Sequence, residues 1–291
     1  MTWLVESQEE NPSLSLKRLM KGKDIIPVAG VYNPICALLA REAGFQCCYL
    51  SGGALSASLG LPDLSLIELN EVSMMTRYIY RASNLPLIVD VDVGFGEALN
   101  VSRTAKEIEE ARGAAIQIED QVLPKKCGHL SGKKLVDAET MIEKIAVAKK
   151  SSKDLIIIAR TDAKAVYGID EAIRRAKLYI KAGADVIFPE ALETEDEFRL
   201  FSKEISAPLL ANMTEFGRTP YISIQKFKEF GYKFVIFPVT ALRLSNKAVL
   251  EGFKNILRDG NQQDLIPKMQ TRQELYDLIK YKEYENLNKE I

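Results

Sequence analysis

The chain has 291 residues, of which 47% are hydrophobic and 27% charged, and its formal net charge is -1. This describes a globular protein with ample core material and no overall field that would gather nucleic acid or an anionic membrane. Apolar runs stop well short of the ~18 residues of a membrane span, and the N-terminal segment carries acids where a secretory signal would be apolar.

Eight short apolar, β-rich runs are predicted as strands, at residues 25–31, 46–51, 87–93, 115–119, 155–160, 185–189, 209–213 and 234–238. Between them, residues 101–112, 137–149, 170–182, 194–205 and 223–230 repeat apolar side chains at helical spacing, and several end on glycine. Unbroken apolar strands such as LPLIVDVDV and LIIIAR are what a parallel sheet covered on both faces requires. Eight strand-then-helix units predict an α/β fold of the (β/α)8 TIM-barrel type. An open doubly wound sheet is the alternative, but no G-x-G-x-x-G follows the first strand. Residues 1–291 read as one barrel domain, in which 254–291 form a C-terminal helical extension with a polar break at 258–264. A tail that outlasts the barrel suits packing between subunits.

Barrel enzymes carry their chemistry at the C-terminal ends of the strands. Here those ends hold Tyr49 with Ser51-Gly52-Gly53, Asp90 and Asp92, Glu119-Asp120, Arg160-Thr161-Asp162, Glu190, Asn212 with Thr214, and Arg243. An apolar core would not want these groups, so their convergence marks a site. In V-D-V-D-V, alternation points Asp90 and Asp92 to one side of a strand, where two carboxylates repel unless a cation lies between them. Glu119 on the next strand supplies a third acid. The single histidine, His129, excludes zinc sites built on several histidines and leaves oxygen ligation, which favours Mg2+ or Mn2+. A D-x-D can also be a cap and a solvated end, but the apolar flanks and Glu119 favour the metal.

Residues 121–134, QVLPKKCGHLSGKK, form a glycine- and lysine-rich loop with Cys127 and His129 at its centre. Lys125, Lys126, Lys133 and Lys134 suit an anionic substrate, and Gly128 and Gly132 suit a lid. A thiol beside cations has a depressed pKa, which makes Cys127 a candidate acid–base group or nucleophile. Ser51-Gly52-Gly53 reads as a backbone cradle for a carboxylate or as an ordinary tight turn. Arg160 needs a carboxylate partner, either substrate or a protein acid such as Glu190. The other three cysteines sit in apolar surroundings, and four in a chain this long make no disulfide framework, so a reducing cytoplasm is expected.

The segments YLSGG, GLPD, VDVDVGFGE, IEDQ, PKKCGH, ARTDA, PEA, NMTEFGRTP and FPVTALR fall in one order along the chain. In this order they resemble the isocitrate lyase/phosphoenolpyruvate mutase superfamily, and within it the 2-methylisocitrate lyases; the K-K-C-G-H loop is the most specific match. The resemblance implies Mg2+, with Mn2+ as a substitute, at Asp90 and Asp92, with Glu119 and Asp63 nearby. It implies a small tricarboxylate bound by Ser51, Gly52, Gly53, Lys125, Cys127, Gly128, Arg160, Glu190, Asn212, Thr214, Arg243 and Arg272. It also implies a homotetramer with exchanged C-terminal helices.

The expected reaction is a retro-aldol carbon–carbon cleavage of 2-methylisocitrate in propionate catabolism through the methylcitrate cycle. Tyr49 is expected to act as base, Cys127 as the acid that protonates the product carbanion, and His129 and Arg160 as stabilisers of charge. Isocitrate cleavage and oxaloacetate hydrolysis are alternatives within the superfamily. A Schiff-base aldolase lacks the required strand-end lysine. A non-catalytic carboxylate binder would leave Cys127 without a task.

Overall fold

The computed structural model describes residues 4–5 and 10–290. Its strands are β1 (Ile26–Val31), β2 (Cys48–Leu50), β3 (Leu87–Asp90), β4 (Ala115–Glu119), β5 (Ile156–Thr161), β6 (Val186–Pro189), β7 (Leu210–Asn212) and β8 (Phe234–Phe237). All pair in parallel in the order β6-β5-β4-β3-β2-β1-β8-β7. A single bridge between Ile187 and Leu209, with Ile187 N donating to Pro208 O at 3.0 Å, joins β6 to β7 and closes the ring. The (β/α)8 barrel expected from the strand pattern is the fold observed.

Apolar residues on both sides of each strand are what permit this closure. Ile88, Ile158, Phe188 and Ile236 point inward and pack with one another, while Val89, Ile157, Ile187 and Val235 face the surrounding helices. Fully burying one such side chain contributes roughly 1.5–3 kcal/mol. The helix Pro12–Lys21 closes the N-terminal end of the ring. Its cap Asn11 accepts from Ser13 N at 2.9 Å, Ser13 Oγ donates to Ala114 O at 3.0 Å, and Leu16 enters the inner cluster. The opposite end stays available for the polar strand termini.

Two strand ends fall short of their predicted limits, each for a local reason. Ser51 leaves β2 to cap the helix Gly52–Ser58, its Oγ accepting from Ala54 N at 3.2 Å. Asp92 lies beyond β3 with φ 49°, a left-handed conformation that costs a non-glycine residue on the order of 1–3 kcal/mol. It therefore belongs to a turn, and strict strand alternation is not what brings it beside Asp90.

Beyond β8 come the helix Thr240–Asp259, a 3-10 helix Gln263–Lys268 and the helices Arg272–Leu278 and Tyr281–Glu290. The predicted polar break begins where Gly260, at φ 71°, ends the first of these. That helix buries only Leu242 and leaves Leu244, Phe253 and Leu257 67%, 64% and 88% exposed. Among the described residues, no helix is long and apolar enough to cross a membrane.

Candidate active site

A cavity at the C-terminal end of the barrel is lined by Tyr49, Ser51, Gly53, Asp63, Asp90, Lys125, Cys127, Gly128, His129, Arg160, Glu190, Asn212 and Thr214. Phe188, Ile236, Pro238 and Val239 complete it on one side. Thirteen of the residues picked out from the sequence thus meet around one space. The four apolar ones were not picked out, because nothing distinguishes them from core in a linear reading.

The acids come together beside the helix Gly52–Ser58. Gly52 N donates to Asp90 Oδ2 at 3.1 Å, and Asp92 N donates to Asp90 Oδ1 at 3.2 Å. A Cβ at position 52 would stand 3.2 Å from Asp90 Oδ2 and 3.3 Å from Asp92 Oδ1, so both carboxylates border one point. With Gly52 N committed to Asp90 and Ala54 N to Ser51, Gly53 is the residue of the expected cradle whose amide bonds no side chain among the described residues.

The Lys125 ammonium stands where the acids converge, bonded to Asp63 and 2.8 Å from Asp92 Oδ1. Burial alone would lower its pKa, but Asp92, Glu119, Asp90 and Asp63 outweigh burial and hold it well above the ordinary lysine value. Asp92 is pushed up to about 6 by burial first, then by Asp90 and Asp63, with Lys125 opposing. Asp92 Oδ1 and Glu119 Oε2 are buried and meet only cations, Lys125 Nζ at 2.8 Å and Arg160 Nη1 at 3.3 Å, without a well-directed hydrogen bond. Hard, under-satisfied oxygens crowded around a cation fit Mg2+ or Mn2+. Among the described residues no three His, Cys, Asp or Glu side chains group closely enough to ligate a metal together. Asp90 and Asp92, whose oxygens border one point, would suit an ion held by two carboxylates with water in its remaining positions, which is the habit of Mg2+.

Arg160 and Glu190 form the opposite wall. The guanidinium lies 3.2 Å from Glu190 Oε2, 3.3 Å from Glu119 Oε2 and 2.9 Å from Asp162 Oδ2. Burial would raise the Glu190 pKa, yet Arg160, His129 and Lys133 bring it down to about 2, so Glu190 is ionised. Asn212 Nδ2 lies 3.4 Å from each Glu190 oxygen. His129 Nδ1 accepts from Arg218 N at 3.0 Å, which leaves Nε2 as the ring donor that faces Glu190 Oε1 at 3.2 Å.

The loop that carries Cys127 is pinned at both ends. Gln121 clamps Lys126, accepting from its N–H at 3.0 Å and donating to its carbonyl at 2.8 Å, and also donates to Glu119 Oε1 at 3.0 Å. Lys133 bonds the Gly128 carbonyl and, at 2.7 Å, Asp162 Oδ1. Behind these, Asp120 accepts from Thr161 Oγ1 at 2.8 Å, Asp162 N at 2.9 Å, Tyr179 OH at 2.8 Å and Arg175 Nη1 at 3.2 Å. Of this framework the strand-end residues and the loop lysines Lys126 and Lys133 were singled out in the sequence, the lysines for substrate rather than for holding the loop. Gln121, Arg175 and Tyr179 read as an unremarked loop residue and two positions on an amphipathic helix.

Several expectations change. Cys127 was expected to have a depressed pKa; burial pushes its thiol above the ordinary value, with Glu190 adding and the His129 backbone and Arg160 opposing. Tyr49 was expected to be a base. It donates to Gln117 Oε1 at 2.6 Å, and burial, followed by Asp90, lifts its pKa well above the ordinary phenol value, so it keeps its proton. Of the loop lysines only Lys125 lines the cavity; Lys133 is buried behind it and Lys134 is exposed. Arg243 is half-exposed in the first turn of the helix Thr240–Asp259, 3.6 Å from Glu215, outside the cavity lining. Arg272 opens the helix Arg272–Leu278, exposed and likewise outside that lining.

Residues 16–257 match the profile of the phosphoenolpyruvate phosphomutase family. The chain belongs to this family. Over its full length it is 53% identical to the 2-methylisocitrate lyase of Aeropyrum pernix, covering 94% of that protein. A 2,3-dimethylmalate lyase, described as a phosphoenolpyruvate mutase/isocitrate lyase superfamily member, superposes with a TM-score of 0.91 at 34% identity, over 97% of this chain and 95% of that one. A phosphonopyruvate hydrolase in complex with oxalate and Mg2+ superposes with a TM-score of 0.87 at 30% identity, over 96% and 98%. The superfamily membership expected from the motifs is therefore the one found.

Proposed function

We propose that the protein is a Mg2+-dependent 2-methylisocitrate lyase, a carbon–carbon lyase that yields pyruvate and succinate. One arrangement carries this reading: a thiol kept protonated by burial faces a cavity bounded by an acid cluster, an arginine–carboxylate wall and an apolar surface. The substrate has three carboxylates and a methyl group. Lys125, Arg160, Asn212, Thr214 and the Gly53 amide suit the carboxylates, and Phe188, Ile236 and Pro238 suit the methyl. A methyl in such a pocket discriminates by about 1–3 kcal/mol, enough to prefer 2-methylisocitrate over isocitrate. The full-length similarity to the Aeropyrum pernix 2-methylisocitrate lyase supports the same substrate.

Asp90 and Asp92 would hold Mg2+, with Asp63 and Glu119 reaching it through water, and the ion would act as a Lewis acid toward the substrate hydroxyl and its neighbouring carboxylate. The Mg2+ present in the phosphonopyruvate hydrolase supports this choice, and Mn2+ is the natural substitute. The substrate hydroxyl gives its proton to the carboxylate cluster, since the Tyr49 phenol is committed to Gln117. The carbon–carbon bond then breaks: the oxygen becomes the pyruvate carbonyl and the electron pair passes to the succinate fragment. Lys125 and Arg160 balance the negative charge. Cys127 protonates the succinate carbon, so one proton leaves and one arrives. Tyr49, its proton engaged by Gln117, forms part of the cavity wall, and His129 holds the loop closed against Glu190.

The exposed Leu244, Phe253 and Leu257 support contact with further copies of the chain, and we propose a homotetramer in which the segment 254–291 is exchanged. Arg243 and Arg272 would then meet substrate across that contact. Four unpaired cysteines suit the cytoplasm. The deciding experiment is pyruvate release from 2-methylisocitrate with and without EDTA, beside isocitrate and oxaloacetate. EDTA-sensitive release, at least tenfold faster than isocitrate cleavage, is expected; oxalate and acetate from oxaloacetate as the main products would move the protein to hydrolysis.

A further inference from the structure

The turn that carries Asp92 is held in place from outside. Asp92, Gly94, Phe95 and Gly96 have φ of 49°, 91°, 59° and 141°; the two glycines adopt such angles freely, but Asp92 and Phe95 do not favour them by themselves. Three consecutive carbonyls of this turn are each tied to a different element. Asp92 O accepts from Glu119 N of β4 at 2.9 Å, Val93 O from Lys144 Nζ at 3.1 Å, and Gly94 O from Thr104 Oγ1 at 3.2 Å. Lys144 lies on the helix Ala138–Ser151 and is only 5% exposed. Among the described residues its one hydrogen bond goes to Val93 O; the Glu97 carboxylate acts on it from beyond ion-pair distance, and no carboxylate contacts it directly. A buried ammonium ordinarily sits against an acid. This one is spent on a single carbonyl next to Asp92.

We infer that Lys144 is a positioning residue for the acid cluster: by holding the Val93 carbonyl it keeps Asp92 left-handed, with its carboxylate turned beside that of Asp90 over Gly52. The inference rests on reading that cluster as the metal site. Without the tie the turn relaxes toward ordinary backbone angles, and the Asp92 carboxylate leaves the point it shares with Asp90. Outer residues that orient metal ligands typically change affinity 10–100-fold.

The test is Mn2+ binding by electron paramagnetic resonance to the full-length, substrate-free protein, with urea denaturation of the same samples. Lys144→Met is expected to weaken Mn2+ binding at least ~10-fold with only a modest fall in its unfolding midpoint from the freed Val93 carbonyl, and Lys144→Arg to recover most of both losses. Thr104→Val, which frees the next carbonyl, is expected to weaken binding less, and it carries the test if Lys144→Met does not fold. A folded Lys144→Met that binds Mn2+ as tightly as the unmodified protein overturns the inference and leaves the metal site standing. If Lys144→Met does not fold, unchanged binding by Thr104→Val overturns it. Absence of Mn2+ binding by the unmodified protein overturns the metal reading, and the inference with it.

Discussion

The backbone at Gly128 passes so close to Glu190 that a methyl group there would stand 2.3 Å from Glu190 Cγ and 2.5 Å from Arg160 Nη2. Neither neighbour can retreat, because Glu190 and Arg160 are buried and fixed by each other and by Asp162. Gly128→Ala therefore has to push the loop outward and carry Cys127 with it. Displacement of a reacting group by about 1 Å can cost ~100-fold, so kcat/KM is expected to fall by that much or more. The loop adds little to the core, and urea unfolding should stay within about 1 kcal/mol of the unmodified protein. A Gly128→Ala enzyme with an unchanged rate would show that the close approach does not set the thiol.

Cys127 acts as an acid and must be protonated to do so. Burial raises its pKa above the ordinary 9.0, so the active form persists through neutral pH and is lost only as pH rises past that raised value. The expected kcat profile has no thiol-dependent loss below pH ~9 and a descending alkaline limb. Cys127→Ser, a far weaker acid, should lose about 10²–10⁴-fold in kcat. An activity that climbs with pH from 6 to 9 in step with a titrating thiol would instead make the group a thiolate.

Tyr49→Phe separates a base from a protonated donor. The phenol proton lies on the bond to Gln117 Oε1, and removing it leaves a buried acceptor without its partner. Stability should fall by about 1–3 kcal/mol, measured by urea denaturation, while kcat falls less than ~10-fold. A thousandfold loss of kcat with unchanged folding would return Tyr49 to the role of base.

Asp120 touches no part of the cavity, yet four donors converge on it, among them the Arg175 guanidinium at 3.2 Å. Asp120→Ala leaves that guanidinium with Glu171, 2.9 Å away, as its one carboxylate and strips Thr161, Tyr179 and the Asp162 amide of a buried acceptor, at about 1–3 kcal/mol for each donor left unsatisfied. The expected result is a marked drop in melting temperature, with the surviving folded fraction also slower because Asp162 and Arg160 lose their support. A loss below about 1 kcal/mol would mean that the existing Arg175–Glu171 pair and solvent suffice without Asp120.

All eight strands were legible because each is a short and mostly apolar run, broken inside only by Gln117 of β4, and their polar ends announced the site. What lay beyond reach followed from three physical facts. Sequence spacing assumes regular backbone, so it placed Asp92 on β3, whereas a left-handed turn carries it. A count of neighbouring charges says nothing of burial, and burial decides the states of Cys127 and Tyr49. Long polar side chains on helices look solvated until packing is known, which hid Lys144 and Arg175, both about 5% exposed. The apolar wall of Phe188, Ile236 and Pro238 carries no signal distinct from barrel core.

Where β6 meets β7 the ring holds by one bridge, Ile187 with Leu209, whereas other neighbouring strands share at least three register pairs. Glu190 follows β6 directly and Asn212 ends β7, so part of the cavity wall is built across the thinnest joint of the barrel. Opening at this joint breaks fewer backbone hydrogen bonds than opening anywhere else around the ring. A carboxylate substrate that reaches from Arg160 on β5 to Asn212 on β7 would act there as a splint. The barrel's weakest joint would then be mended by the molecule it is about to cut, and released again when the two smaller products part.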